Sequence, residues 1–192
     1  MSGVVAVAGS RALSGAGLAL VGPVCRSVVA SGRSLVVGCA TGADAAVLSA
    51  GLPVSAVRCF AAFGSGPCYA GAWRGSATPA VGRYAASGGR VVWLAGGPLS
   101  VSLRARLASR TSAVVSAASA GCVVFFGSPV SRGSALAGRL AVGRGLPVFG
   151  FPLGFSGGFL PSLGSGFWLP FNGSGPWVSA WVWQSSQLGF FV

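Results

Sequence analysis

Chemistry in this chain has few side chains to draw on. Its 192 residues hold 13 cationic side chains, all arginine, one acidic residue and no histidine. The single carboxylate, Asp44, lies in the stretch Val36-Val37-Gly38-Cys39-Ala40-Thr41-Gly42-Ala43-Asp44-Ala45-Ala46. A β-branched run there feeds a glycine-bearing turn, and small residues continue as a helix. Backbone N–H groups at such a helix start have no internal partners and converge on one point, which attracts a phosphate or another anion. Gly38 and Gly42 carry no Cβ and permit close backbone approach to a ligand. Asp44, in the first turn, suits the positive end of the helix dipole. The same residues also fit an ordinary strand-to-helix turn with a capping Asp, so the motif alone leaves both readings open.

Residue usage sharpens the picture. The chain is built mainly from Gly, Ala, Val, Ser, Leu, Arg, Pro, Phe, Trp and Cys, the amino acids that can be encoded without adenine. Thr41 and Asp44 both require that base, and both sit in the motif. A net charge of +12 would ordinarily point to a polyanionic partner. Arg is also the one charged residue available without adenine, so coding bias accounts for the excess equally well. General acid–base catalysis needs groups that exchange protons near neutral pH. With Asp44 alone available, and fit to cap its helix or hold a ribose hydroxyl, catalysis is disfavoured.

Cys25, Cys39, Cys59, Cys68 and Cys122 are odd in number, with no C-x-x-C spacing and no histidine nearby. No metal site or cofactor is therefore expected, and the thiols read as small buried hydrophobes of a reducing cytoplasm. No charged segment precedes an apolar core at the start, so no secretory signal is expected. Arg, Pro and polar breaks interrupt every apolar stretch of about 20 residues, so no membrane span is expected either.

The elements that position the motif alternate along the chain. The pattern predicts strands at 4–8, 34–37, 54–58, 90–94, 122–126 and 147–151. Helices are expected over 14–31 (with Pro23 a kink or break), from the motif to about 50, and over 79–86, 102–118 and 135–144. Strands alternating with helices predict an α/β fold with a doubly wound, mostly parallel sheet. After Pro152 the composition shifts to Gly, Ser and aromatics without charge. The chain thus divides into 1–152 and an extension, 153–192, with an alternating strand expected at 177–183. The extension is expected to pack on the sheet as an edge strand. Stacking faces for single-stranded bases and a self-association or membrane-surface patch are the alternatives.

Three segments together resemble a known family. Gly9-Ser10-Arg11 follows the first strand, Gly38-x-x-x-Gly42-Ala43-Asp44 the second, and Ser131-Arg132-Gly133-Ser134 precedes a helix ending in Gly145-Leu146-Pro147. This set resembles the SLOG superfamily of Rossmann-like domains, and within it the Smf/DNA-processing A group, over residues 4 to 152. The resemblance implies a doubly wound sheet whose loops converge on one anion at the strand carboxyl ends. It implies ligand-binding roles for Gly9, Ser10, Arg11, Gly38, Thr41, Gly42, Asp44, Arg110, Ser128, Arg132, Gly133 and Ser134. Its implied partner is single-stranded nucleic acid, with a free nucleotide or nucleotide-derived signal as the alternative, and self-association is left open. Some similar proteins are nucleoside-monophosphate hydrolases with an acidic residue after the third glycine turn; here Gly133-Ser134-Ala135-Leu136-Ala137 has none. Arg11 and Arg110, if both are exposed, are expected to serve binding and leave stability almost unchanged.

Overall fold

Val4–Gly9 (β1) is hydrogen-bonded on both sides, to Ser34–Val37 (β2) and to Gly121–Phe126 (β5), each in parallel register. These strands belong to a computed structural model that describes residues 3–66, 69–72 and 78–186. Val57–Phe60 (β3) and Arg90–Val92 (β4) extend the sheet beyond β2, and Val148–Pro152 (β6) extends it beyond β5. The described sheet runs β4-β3-β2-β1-β5-β6-β8-β7, where β7 is Gly166–Pro170 and β8 is Trp181–Ser185. The first six of these strands are parallel, and the last two attach antiparallel. The fold is α/β and Rossmann-like, as expected.

Successive side chains on a strand point to opposite faces, and both faces here are apolar. Val5, Val7, Leu35, Val37, Val123 and Phe125 pack beneath helix α1 (Gly15–Ala30) and helix α2 (Ala43–Leu48). Ala6, Val36, Cys122, Val124 and Phe126 pack beneath α4 (Leu103–Ser116) and α5 (Arg132–Gly143). Helix α3 (Thr78–Ala86) closes the β3–β4 end of the first layer through Val81 and Tyr84. Each fully buried Phe, such as Phe125 and Phe126, contributes about 1.5–3 kcal/mol relative to exposure.

Several boundaries differ from expectation for identifiable reasons. Pro23 does not break α1, which runs through it with Val21, Val24 and Cys25 buried on either side; Pro23 has no N–H to give the carbonyl of Ala19, a residue on the exposed side of the helix. Residues 54–56 form a 3-10 turn rather than strand, because Pro53 starts a bend that the Ala56 amide closes on the Pro53 carbonyl. β4 stops at Val92 because Leu94 adopts a left-handed conformation, φ +52°, and its carbonyl accepts from Gly97. Helix α5 begins at Arg132, three residues before the expected start.

The aromatic extension supplies two strands, not one. The expected strand at 177–183 is replaced by a 3-10 turn at Gly175–Trp177 around Pro176, with β8 beginning only at Trp181. β8 lies between β6 and β7, and β7 forms the edge. Trp183, buried at 8% exposure, meets Trp168 edge-to-face at 5.4 Å, while the Trp177 indole N–H donates to Ser27 Oγ at 2.7 Å. Cys25, Cys39, Cys59 and Cys122 are free and buried; Cys68 lies outside the described residues. No helix among the described residues is long and apolar enough to cross a membrane.

The Trp183 indole N–H is buried with no partner, so ring and donor have separable effects. Trp183→Ala should cost about 3–5 kcal/mol in urea unfolding through the cavity it leaves. Trp183→Phe, which keeps a ring and removes the unsatisfied donor, should cost less than about 1.5 kcal/mol.

Candidate anion-binding site at the carboxyl rim

Strand order reverses between β1 and β5. The chain steps outward from β1 through β4 and then returns to the other flank of β1. At such a switch point the loops leaving adjacent strands diverge and open a crevice at the carboxyl ends. The segments leaving β1 and β5 are Gly9-Ser10-Arg11 and Gly127-Ser128.

Backbone contacts draw three turns together here. The Ser10 amide donates to the Phe125 carbonyl at 2.8 Å, and the Ser10 carbonyl accepts from the Ala43 amide at 3.2 Å. Ser10 thus links the end of β5 to the start of α2. Its hydroxyl stays local, accepting from the Ala12 amide at 3.3 Å. Thr41 Oγ1 donates to the Arg11 carbonyl at 3.5 Å, tying the second turn to the first. The glycines are there for space. A Cβ on Gly42, which also has φ +71°, would collide with the Ser10 carbonyl oxygen, and one on Gly127 would lie 2.6 Å from the Ala12 carbonyl. A Cβ on Gly9 would stand 2.9 Å from the Phe125 carbonyl.

Arg11 is exposed on the first turn, whereas Ser10, Thr41 and Gly42 are half-buried. The third turn runs into α5. Ser131 occupies the N-cap position without capping, because its hydroxyl lies 3.1 Å from Ser128 Oγ. The first-turn amides of Arg132, Gly133 and Ser134 have no preceding helical carbonyl to meet. Arg132 and Gly133 are exposed, while Ser134 is buried at 3% exposure with its Oγ unpartnered. Together these residues offer backbone donors, hydroxyls and two exposed guanidiniums.

Asp44 and Arg110 do not belong to that open surface. They form a buried ion pair, with Arg110 donating to Asp44 Oδ2 at 3.0 Å and the Ala40 amide donating to the same oxygen at 2.9 Å. Asp44 therefore secures the turn after β2, and Arg110 is not the exposed ligand residue its place in the sequence implied. Gly38 has a corresponding role: its missing Cβ is where the Arg110 guanidinium passes. Burial pushes the Asp44 carboxyl above its ordinary pKa, opposed by Arg110 and the Ala40 amide. Burial also works against the Arg110 charge, but Asp44 and the nearby Cys39 and Cys59 outweigh it and hold the guanidinium pKa above its ordinary value. The Cys39 thiol is itself pushed up by burial, which suits a packed thiol rather than a nucleophile.

Arg106 was not singled out by sequence. It lies one turn before Arg110 on α4, buried, with its guanidinium donating to the carbonyls of Val101, Ala62 and Gly71. The i,i+4 spacing of the two arginines was the available signal. Two hollows in the structure, of about 540 and 590 Å³, open at the amino ends of the strands rather than at this rim.

In three dimensions the chain is similar to DNA processing protein A from Helicobacter pylori. The TM-score is 0.59 at 15% sequence identity, over 78% of this chain and 65% of that one. The chain thus spans just under two thirds of the neighbour's length, and at this identity the likeness shows the fold alone. That neighbour's structure concerns its single-stranded DNA binding mode. No family model and no curated protein matches the sequence.

Asp44→Ala strands the Arg110 charge in a buried setting and should cost about 3–5 kcal/mol. Asp44→Ala combined with Arg110→Met should recover much of that loss, giving a coupling energy in a double-mutant cycle by urea unfolding. Arg110→Met alone should also lower stability, contrary to the behaviour of an exposed arginine.

Proposed function

We propose that the carboxyl-rim turns bind the phosphates of single-stranded DNA without catalysis, in the manner of a SLOG domain close to the Smf/DNA-processing A group. The observation that carries this is the meeting of three backbone turns around Ser10–Ala12 at the β1/β5 switch point, with Arg11 exposed on the central turn and Arg132 at the start of α5. Backbone amides and guanidiniums grip phosphates without reading base sequence. The structural likeness to a protein whose single-stranded DNA binding has been described supports the same reading. A reducing cytoplasm, where buried thiols stay free, is the setting that fits it. Hydrolysis is disfavoured because the single carboxylate is sequestered by Arg110.

A second reading has one observation in its favour. The buried, unpartnered Ser134 Oγ at the α5 start suits a single phosphate group, as on a free nucleotide.

Binding of a short single-stranded oligonucleotide should weaken steeply with salt. For about three phosphate contacts the fall between about 50 and 200 mM salt is roughly twentyfold. Arg11→Ala should weaken binding by about 1–3 kcal/mol, with the melting temperature unchanged because Arg11 is exposed. Salt-insensitive binding rejects the DNA reading, and capture of a mononucleotide without the oligonucleotide selects the free-nucleotide reading.

A further inference from the structure

A second cationic feature lies at the opposite end of the sheet. Arg58 on β3 and Arg90 on β4 are direct partners in parallel register. Neighbouring strands are about 4.8 Å apart, so two arginines on the same face start side by side. The same cross-strand row continues through Val36, Ala6, Cys122 and Val148, which α4 and α5 cover. Only the two arginines project beyond that cover. They line a hollow of about 540 Å³ together with Ser34, Ser55, Val4 and Val54.

Like charges directly opposite one another on adjacent strands destabilise a sheet. No acidic side chain offsets them among the described residues, because the one the chain has, Asp44, is buried against Arg110. Neither guanidinium donates to a protein acceptor among the described residues. Arg58 is held in place all the same, its guanidinium carbon 5.1 Å from the centroid of the Phe60 ring. The arrangement is a pair of adjacent guanidiniums, each with five donors, standing at the mouth of one hollow. The lining mixes serines with valines, in a volume within the range of small-molecule sites.

We propose that this hollow is a binding site for a phosphate monoester, distinct from the carboxyl-rim turns. Arg58 and Arg90 would clamp the dianion's oxygens from two sides, since planar guanidiniums match phosphate geometry. Val4 and the exposed Val54, both on the lining, take the organic group of the ester.

Phenyl phosphate and benzoate are the probes, titrated calorimetrically into the full chain at fixed chloride. The expected result is saturable binding of phenyl phosphate, weakened by at least about tenfold in Arg58→Gln and in Arg90→Gln as one charge-assisted contact is lost. Arg11→Ala should leave it unchanged, which separates this hollow from the rim site. Phenyl phosphate should also raise the melting temperature of the wild type more than that of either variant, a readout that confirms both variants are folded. Absence of binding up to about 10 mM, an equal loss in Arg11→Ala, or benzoate binding as tight as phenyl phosphate overturns the proposal.

Discussion

The ion pair between Asp44 and Arg110 spans the sheet rather than decorating it. Asp44 belongs to α2 on one face and Arg110 to α4 on the other, and the guanidinium crosses the carboxyl end of β2 at the one place where Gly38 leaves room. The Ala40 amide shares the carboxylate, so the loop between β2 and α2 is fixed by the same oxygen that holds the helices across the strand end. The position of Thr41 and Gly42 against the first turn follows from that anchoring. Desolvating both charges is costly, and neither can be removed alone without exposing that cost. The open parts of the rim, Arg11 and the start of α5, are arranged around a polar contact that is itself buried.

Arginine does three different jobs here, and composition alone does not separate them. Arg110 balances a buried carboxylate. Arg106 and Arg144 are straps: Arg106 ties together the carbonyls of Val101, Ala62 and Gly71, and Arg144 donates to Val115 and Ala118 at the end of α4. Arg11, Arg132 and Arg90 remain exposed. A guanidinium presents five donors over a wide fork, so it can serve as a connector between backbone carbonyls where a carboxylate or amide is missing from the residue palette. A net charge of +12 therefore overstates the charge displayed to partners.

Much of the architecture was legible because apolar runs of the right length are punctuated by Gly and Pro. Cys122 to Phe126 reads as a buried strand, and all its residues are buried. The Gly9, Gly42 and Gly133 turns were visible as a set, and the structure joins the first two through Ser10. The Asp44–Arg110 pair was not visible, since its partners are 66 positions apart and nothing local in sequence marks an arginine as interior. β7 was missed because Gly166-Phe167-Trp168-Leu169-Pro170 shows no apolar–polar alternation; an outermost strand needs little of it. The bend at Val54–Ala56 was hidden by a β-branched start that Pro53 overrides.

The flanks of β1 have a consequence for how the protein comes into being. One neighbour, β2, follows within a few dozen residues, but the other begins with Gly121 set against Val5. A chain emerging from the ribosome therefore carries its first turn with one wall of the crevice absent until Gly121 and the residues after it have been made. Closing so long a loop is slow relative to forming local helices. Until the fifth strand docks, Val5 and Val7 present an unpaired edge, the kind of surface that invites mispairing with other chains.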